Sequence, residues 1–212
     1  DLVSPQGRQS LQLPLPGRHS ILNALAALAA ASVWGIGAAE AAAVLPHLAA
    51  GEMRGRMLRF ADGFAIINDS YNSNPVALDA MVELLVCTPG YKRRILAAGE
   101  MLELGPESLR LHTESGRHAA AQRVDWVVGV QGAAAGFVQG AVEGGLPGDR
   151  ARFFASAAEA APFLVELLQP GDLLLVKGSR GVKMERIVET LRARFAPAAD
   201  GKEIPAGTPG RA

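Results

Sequence analysis

The chain has little of what marks several large classes of protein. It carries one cysteine in 212 residues, Cys87, which excludes a disulfide framework and a cysteine-built zinc site. Cys87 ends an apolar stretch, so a buried structural thiol is expected. Excess charge of one sign is missing too. The 21 basic and 21 acidic side chains cancel and no basic stripe is visible, so no nucleic-acid partner is expected. No apolar run reaches the length of a bilayer span. The stretch from Ala24 to Ala31 is too short and too weakly apolar, and no membrane partner is expected. No signal pattern follows Asp1, and cytoplasm is the expected compartment. His112 and His118 do not share a helix face, and no metal site is expected. The phosphate-loop pattern G-x-x-x-x-G-K-[ST] and the dinucleotide fingerprint G-x-G-x-x-G are both absent. Gly178-Ser179-Arg180-Gly181 does not meet the nucleophile-elbow pattern G-x-S-x-G.

What is present describes a globular chain with a real core, 49% apolar and 20% charged. Gln9 to Leu15 alternates polar and apolar residues and reads as an edge strand. His19 to Val33 and Ala38 to Leu48 read as helices, broken by Gly35-Ile36-Gly37 and interrupted near Pro46. From Met53 the rhythm changes. Met57 to Ala61 and Phe64 to Ile67 read as strands joined by the turn pair Asp62-Gly63. Strands at Arg94 to Ala98, Trp126 to Val130, Arg152 to Phe154 and Leu173 to Val176 then alternate with helices. Those helices are expected at Val76 to Leu85, Ser108 to Gln122, Ala133 to Val142, Ala157 to Leu168 and Val182 to Phe195. Short apolar strands alternating with helices predict a doubly wound, mostly parallel α/β sheet. The expected divisions are a helical piece at 1–52, the α/β domain at 53–196 and a flexible tail at 197–212 rich in Pro, Gly and Ala.

The densest chemistry lies in Asn68-Asp69-Ser70-Tyr71-Asn72-Ser73-Asn74-Pro75, between a strand and a helix. Asn74 suits an N-cap and Pro75 the first helical position. The loop also carries a carboxylate, a phenol and two hydroxyls, at the strand end where open α/β sheets bind ligands. Two further loops follow strands at the same edge. Gly99 to Gly105 carries Glu100 and Glu103, for which an ordinary polar loop is the simpler reading. Lys177-Gly178-Ser179-Arg180-Gly181 offers an ammonium, a hydroxyl and a forked guanidinium, suited to a carboxylate or phosphate. The plain alternative there is a capped helix with solvated basic residues. Arg56, on pattern alone, is a surface arginine.

Taken in order, these segments resemble the C-terminal part of the Mur ligase family. Gly17-Arg18-His19-Ser20-Ile21-Leu22-Asn23-Ala24 is similar to the family's G-R-H-N-x-x-N-A. Asn68 to Pro75 is similar to N-D-S-Y-N-A-N-P. Gly99 to Gly105 with Leu111-His112 is similar to G-D-M-x-E-L-G followed by L-H. Val176 to Glu185, V-K-G-S-R-G-V-K-M-E, is the most specific segment. Ser20 stands where the family has Asn, and Glu100 where it has Asp. The Tyr71-Asn72 pair favours the branch that adds D-alanyl-D-alanine to a UDP-N-acetylmuramoyl-tripeptide in peptidoglycan precursor synthesis.

The resemblance implies an ATP-dependent amide-bond ligase working through an acyl phosphate that the incoming amine attacks. It implies a Rossmann-like C-terminal domain preceded by the last helices of a central ATPase domain. It implies nucleotide binding by Asn23 near the adenine, Asp69 at the ribose hydroxyls, and Arg56 and Tyr71 near the phosphates. It implies substrate binding by Ser73, Lys177, Ser179 and Arg180. ATP and Mg would be held mainly by a central domain whose G-T-x-G-K-T loop this sequence lacks. The chain alone is therefore expected to be inactive, with no catalytic residue of its own. The runner-up readings are a folylpolyglutamate synthetase-like ligase domain, a stand-alone nucleotide-binding regulatory module, and a purely structural α/β domain.

Overall fold

The structure, a computed structural model, describes residues 1–5 and 7–198. A small antiparallel hairpin comes first, β1 (Leu2–Ser4) with β2 (Gly7–Gln9). The strand expected over Gln9 to Leu15 does not form; pairing ends at Gln9. Pro14 removes a backbone donor from that run, which suits a strand poorly. Two helices follow, α1 (Arg18–Val33) and α2 (Ala38–Val44), the second ending in a 3₁₀ turn that contains Pro46. α1 buries none of its residues.

The main body is a six-stranded sheet. Its strands are β3 (Arg56–Arg59), β4 (Ala65–Asp69), β5 (Arg93–Gly99), β6 (Trp126–Val130), β7 (Ala151–Phe154) and β8 (Asp172–Lys177). Their order is β3-β4-β8-β5-β6-β7, with only β3 antiparallel to its neighbour. The helices are α3 (Pro75–Cys87), α4 (Ser108–Ala121), α5 (Ala135–Glu143), α6 (Ala157–Leu167) and α7 (Glu185–Arg194).

The handedness of parallel crossovers explains the layers. From β4 the chain steps outward to β5, β6 and β7, placing α3, α4 and α5 on one face. It then returns to insert β8 between β4 and β5, which puts α6 and α7 on the other. Alternate strand residues divide accordingly. Ile67, Leu96, Val127 and Leu175 meet Leu78, Met81 and Phe137 on one side. Ile66, Ile95, Val128 and Leu174 meet Leu164, Ile187 and Leu191 on the other. Helices α4 and α5 approach so closely that a Cβ at Gly140 would overlap the Thr113 carbonyl, and one at Gly116 the Phe137 carbonyl.

Two expectations fail here. Cys87 is exposed, not buried. It is the last residue of α3, whose packed face carries Leu78, Met81, Val82 and Leu85; the next residue, Thr88, turns inward instead and donates to the Leu84 carbonyl at 2.6 Å. The expected tail also begins in ordered pairing. Pro197 bridges to Phe60, and Ala198 N–H donates to the Arg59 carbonyl at 3.0 Å. Phe195 packs edge-on against Phe64 at 4.9 Å, holding the chain to the β3 edge. The rest of that tail, 199–212, lies outside the described residues.

Candidate functional site

The loops after β4, β5 and β8 meet at the carboxyl edge of the sheet. The Asn68 to Pro75 loop spends most of its polar groups on its own shape. Asn68 Oδ1 accepts from the Ser70 hydroxyl at 2.7 Å, Asn72 Oδ1 from Ser73 N–H at 2.8 Å, and Asn74 Oδ1 caps α3 through Ala77 N–H at 2.8 Å. The amide side chains thus replace backbone turns. Asp69 and Tyr71 line a cleft of about 1100 Å³ with Asn72 and Ser73; His19, Ser20 and Asn23 of α1, Arg54 and Lys177 form its other polar walls.

Lys177 is buried, and its ammonium donates to Asp69 Oδ2 at 2.5 Å and to the Asn72 carbonyl at 2.8 Å. The parallel pairing of β4 with β8 sets Asp69 opposite Lys177. The reading of this loop as carrying solvated basic residues is therefore corrected for Lys177, whose charge is committed to Asp69. Asn23 is exposed at the cleft wall. Tyr71 is 41% exposed, with the Arg54 guanidinium 4.2 Å from its ring centroid, a cation–π contact. Its N–H donates to the Met53 carbonyl at 3.2 Å, and Met53 holds a left-handed φ of 58°.

Arg56 lies just off the cleft lining. It is half-buried, pairs in register with Asn68, and sits 3.6 Å from the Glu52 carboxylate. Ser179 and Arg180 also stand outside that lining. Ser179 is buried and its Oγ accepts from Leu102 N–H at 2.9 Å. Arg180 pairs with Glu185 at 3.1 Å and reaches the Met53 sulfur at 3.5 Å. The residues read as substrate-binding therefore divide: Ser73 and Lys177 line the cleft, while Ser179 and Arg180 belong to an adjoining junction of loops. The helix expected from Val182 begins only at Glu185, because Lys183 takes a left-handed φ of 58° after a 3₁₀ turn.

Sequence reasoning missed Arg54, and it named Glu100 and His112 without their contacts. Arg54 had a signal, since it stands two residues from Arg56 in one short basic run. Glu100 was visible as a loop acid at a family motif position, but its partner was not: its Oε1 accepts from Ala133 N–H at 2.8 Å, under Gly132, where a Cβ would overlap the carboxylate. His112 is fully buried and accepts from Met101 N–H at 2.8 Å. Desolvation pushes its pKa down, against the opposing pull of the Ser108 carbonyl and Glu100. Among the described residues no three His, Cys, Asp or Glu side chains gather as a metal set. The cleft's acidic group, Asp69, is already tied to Lys177, so these residues do not fit a magnesium site.

Comparison with known proteins bears on this arrangement. The family model described as "Mur ligase, glutamate ligase domain" matches residues 53–180. The UDP-N-acetylmuramoyl-tripeptide–D-alanyl-D-alanine ligase of Bacillus subtilis strain 168 is 34% identical over 179 residues, covering 84% of this chain and 39% of that protein. The enzyme of the same name from Escherichia coli K12 is 36% identical over 195 residues, covering 90% and 41%. The crystal structure of MurF from Acinetobacter baumannii superposes with a TM-score of 0.78 at 31% identity, covering 90% of this chain and 41% of that one. The chain thus spans about 40% of the length of these relatives. With the family model matching more than half of its residues and the fold superposing on that crystal structure, the chain belongs to the Mur ligase family.

Proposed function

We propose that this chain is part of an ATP-dependent ligase that joins D-alanyl-D-alanine to a UDP-N-acetylmuramoyl-tripeptide in peptidoglycan precursor synthesis. The observation that carries the reading is the cleft between α1 and the Asp69 loop, where Asn23, Asp69, Tyr71, Ser73 and Lys177 converge from three separated segments. Asp69 offers a carboxylate oriented by Lys177; Oδ1, the oxygen not held by that ammonium, suits paired ribose hydroxyls. Asn23 faces the same space from α1 and suits the base. Arg56 stands at the root of the loop, toward the phosphates. Ser179 and Arg180 form the side toward the incoming dipeptide, with a hydroxyl and a guanidinium suited to its carboxylate.

In this reading residues 1–52 close a central ATPase domain and 53–196 form the domain that follows it. Bare apolar residues on α1, Ile21, Leu22 and Leu25, support that division, since such side chains are usually covered. ATP would activate the acceptor carboxylate as an acyl phosphate, and the dipeptide amine would displace phosphate from it. What these residues supply is orientation and charge placement, the main work in chemistry of this kind. Magnesium would be held elsewhere. Alone, without a phosphate-binding loop, the chain binds but does not ligate.

The test is an NMR titration of the chain with D-alanyl-D-alanine, D-glutamate and magnesium-ADP. Dipeptide-selective shifts at 177–180, with ADP shifts at 69–73, are expected. A response to D-glutamate in place of the dipeptide would overturn the dipeptide specificity of this reading, and glutamate dependence of the intact enzyme would move it to the folylpolyglutamate synthetase branch. ATP-dependent ligation by the chain alone would overturn its proposed inactivity.

A further inference from the structure

The four loops along the carboxyl edge are joined in the same order as their strands. Lys177 of β8 ties to Asp69 of β4. Ser179, beyond β8, takes Leu102 N–H with its hydroxyl and donates its own N–H to the Glu100 carbonyl at 3.2 Å. Glu100, beyond β5, takes Ala133 N–H, and Gln131, beyond β6, donates its N–H to the Phe154 carbonyl of β7 at 2.9 Å. At this edge Gln131, beyond β6, holds a positive φ of 70° and, in the loop after β5, Glu103 one of 66°, which is strained for residues other than glycine. Something must hold it there.

We propose that His112 is the positioning residue of that loop, fixing Met101 and Leu102 so that the Ser179 hydroxyl is presented in one orientation at the site. Its two ring nitrogens are both assigned by geometry. Nδ1 lies 2.6 Å from the Ser108 carbonyl, which only accepts, so Nδ1 carries the proton. Nε2 lies 2.8 Å from Met101 N–H, which only donates, so Nε2 offers its lone pair. The ring is therefore the neutral Nδ1–H tautomer. It packs on Phe137 with centroids 4.7 Å apart, against α5, and has no solvent exposure. Glu100, from the loop after β5, is the charged group acting on it.

The consequence reaches the β8 loop. Successive N–H groups of the β5 loop are taken by two side chains, Met101 by His112 and Leu102 by Ser179. Because Ser179 Oγ already accepts from Leu102, its single proton is what remains to donate to a ligand anion. Loss of the His112 acceptor releases Met101, moves Leu102, and frees the Ser179 hydroxyl to turn. The part played by Ser179 in holding a dipeptide carboxylate rests on the function proposed above; the clamp itself does not.

The test uses the 212-residue chain and three variants. His112→Phe keeps a ring on Phe137 but has no acceptor. His112→Gln restores an acceptor near the position of Nε2. Ser179→Ala removes the other anchor. Amide hydrogen exchange is read by NMR. In His112→Phe, Met101 and Leu102 are expected to lose protection at least tenfold, while α4 and α5 amides keep theirs. His112→Gln is expected to recover most of the loss, and Ser179→Ala to release Leu102 alone. In the unaltered chain, Met101 protection is expected to fall on acidification in step with titration of the His112 ring, and not to do so in His112→Gln. Equal Met101 protection in His112→Phe and the parent would overturn the proposal. So would a loss spread evenly over α4 and α5, which marks a packing role only. Titration with D-alanyl-D-alanine forms a separate arm: if the parent ignores the dipeptide, the substrate reading fails while the exchange data still decide the clamp.

Discussion

Replacing Lys177 by Met should be one of the most damaging single changes at the carboxyl edge. The ammonium is 4% exposed at its side chain, its Asp69 partner 15%, and the two atoms stand 2.5 Å apart. Removing one member of a buried pair leaves the other charge uncompensated, which typically costs about 3–5 kcal/mol. Asp69 keeps slight solvent access, so the lower end, about 3 kcal/mol, is expected. Asp69→Asn keeps an acceptor for the ammonium, and the Asn72 carbonyl still binds it; about 2 kcal/mol is expected on the scale of one charged hydrogen bond. The double variant leaves no stranded charge, so its loss should fall short of the sum by about 2 kcal/mol. Urea unfolding followed by circular dichroism measures all three. With a slope near 2 kcal/mol/M, Lys177→Met should lower the midpoint by about 1.5 M. A loss below about 1 kcal/mol, or a double variant additive to within about 0.5 kcal/mol, would show that the pair is not the coupled, desolvated unit described above.

Other expectations follow from single contacts. Asn74→Ala removes the α3 cap on Ala77 and should cost about 1 kcal/mol by urea unfolding, with Asn74→Asp close to neutral. Gly140→Ala drives a methyl into the Thr113 carbonyl and should cost at least about 2 kcal/mol through overpacking; an unchanged midpoint would contradict the close α4–α5 approach. His112 has a folded pKa below its ordinary value because it is buried. The unfolded chain therefore takes the proton first, so stability from this site is full above about pH 6.5 and declines as pH falls below it; the slope should vanish in His112→Gln. Asp79 has its pKa raised by burial, partly offset by His118 and Ser115, and its Oδ1 has no hydrogen-bond partner among the described residues. Its ionised form is disfavoured in the fold, so Asp79→Asn should raise the urea midpoint at neutral pH, with the gain shrinking as pH falls through the carboxyl's raised pKa.

Much of the fold was legible because it rests on local periodicity. Trp126 to Val130 has the same bounds in sequence and structure. The Asp62-Gly63 turn and the Asn74-Pro75 helix start depend on neighbouring residues alone, and both formed. Gln9 to Leu15 failed because alternation says nothing about whether a partner strand is within reach. Cys87 failed because a helix end can leave its packed face within one residue. The candidate site was legible as loops but not as bonds. The Asn68 to Pro75 loop stood out by its polar content, yet most of that content folds the loop itself.

The sequence by itself determined the alternation of short apolar strands with helices, and hence a doubly wound sheet with chemistry at its carboxyl edge. It also determined membership of the family, through motifs that keep their spacing. Only the tertiary structure decided what each polar group does. β8 returns between β4 and β5, and that insertion puts Lys177 beside Asp69, 108 positions apart in the chain. The same insertion puts Ser179 beside Leu102. No local pattern encodes those meetings, because they follow from the order in which strands pair, and that order is set by packing the whole chain around two faces of one sheet.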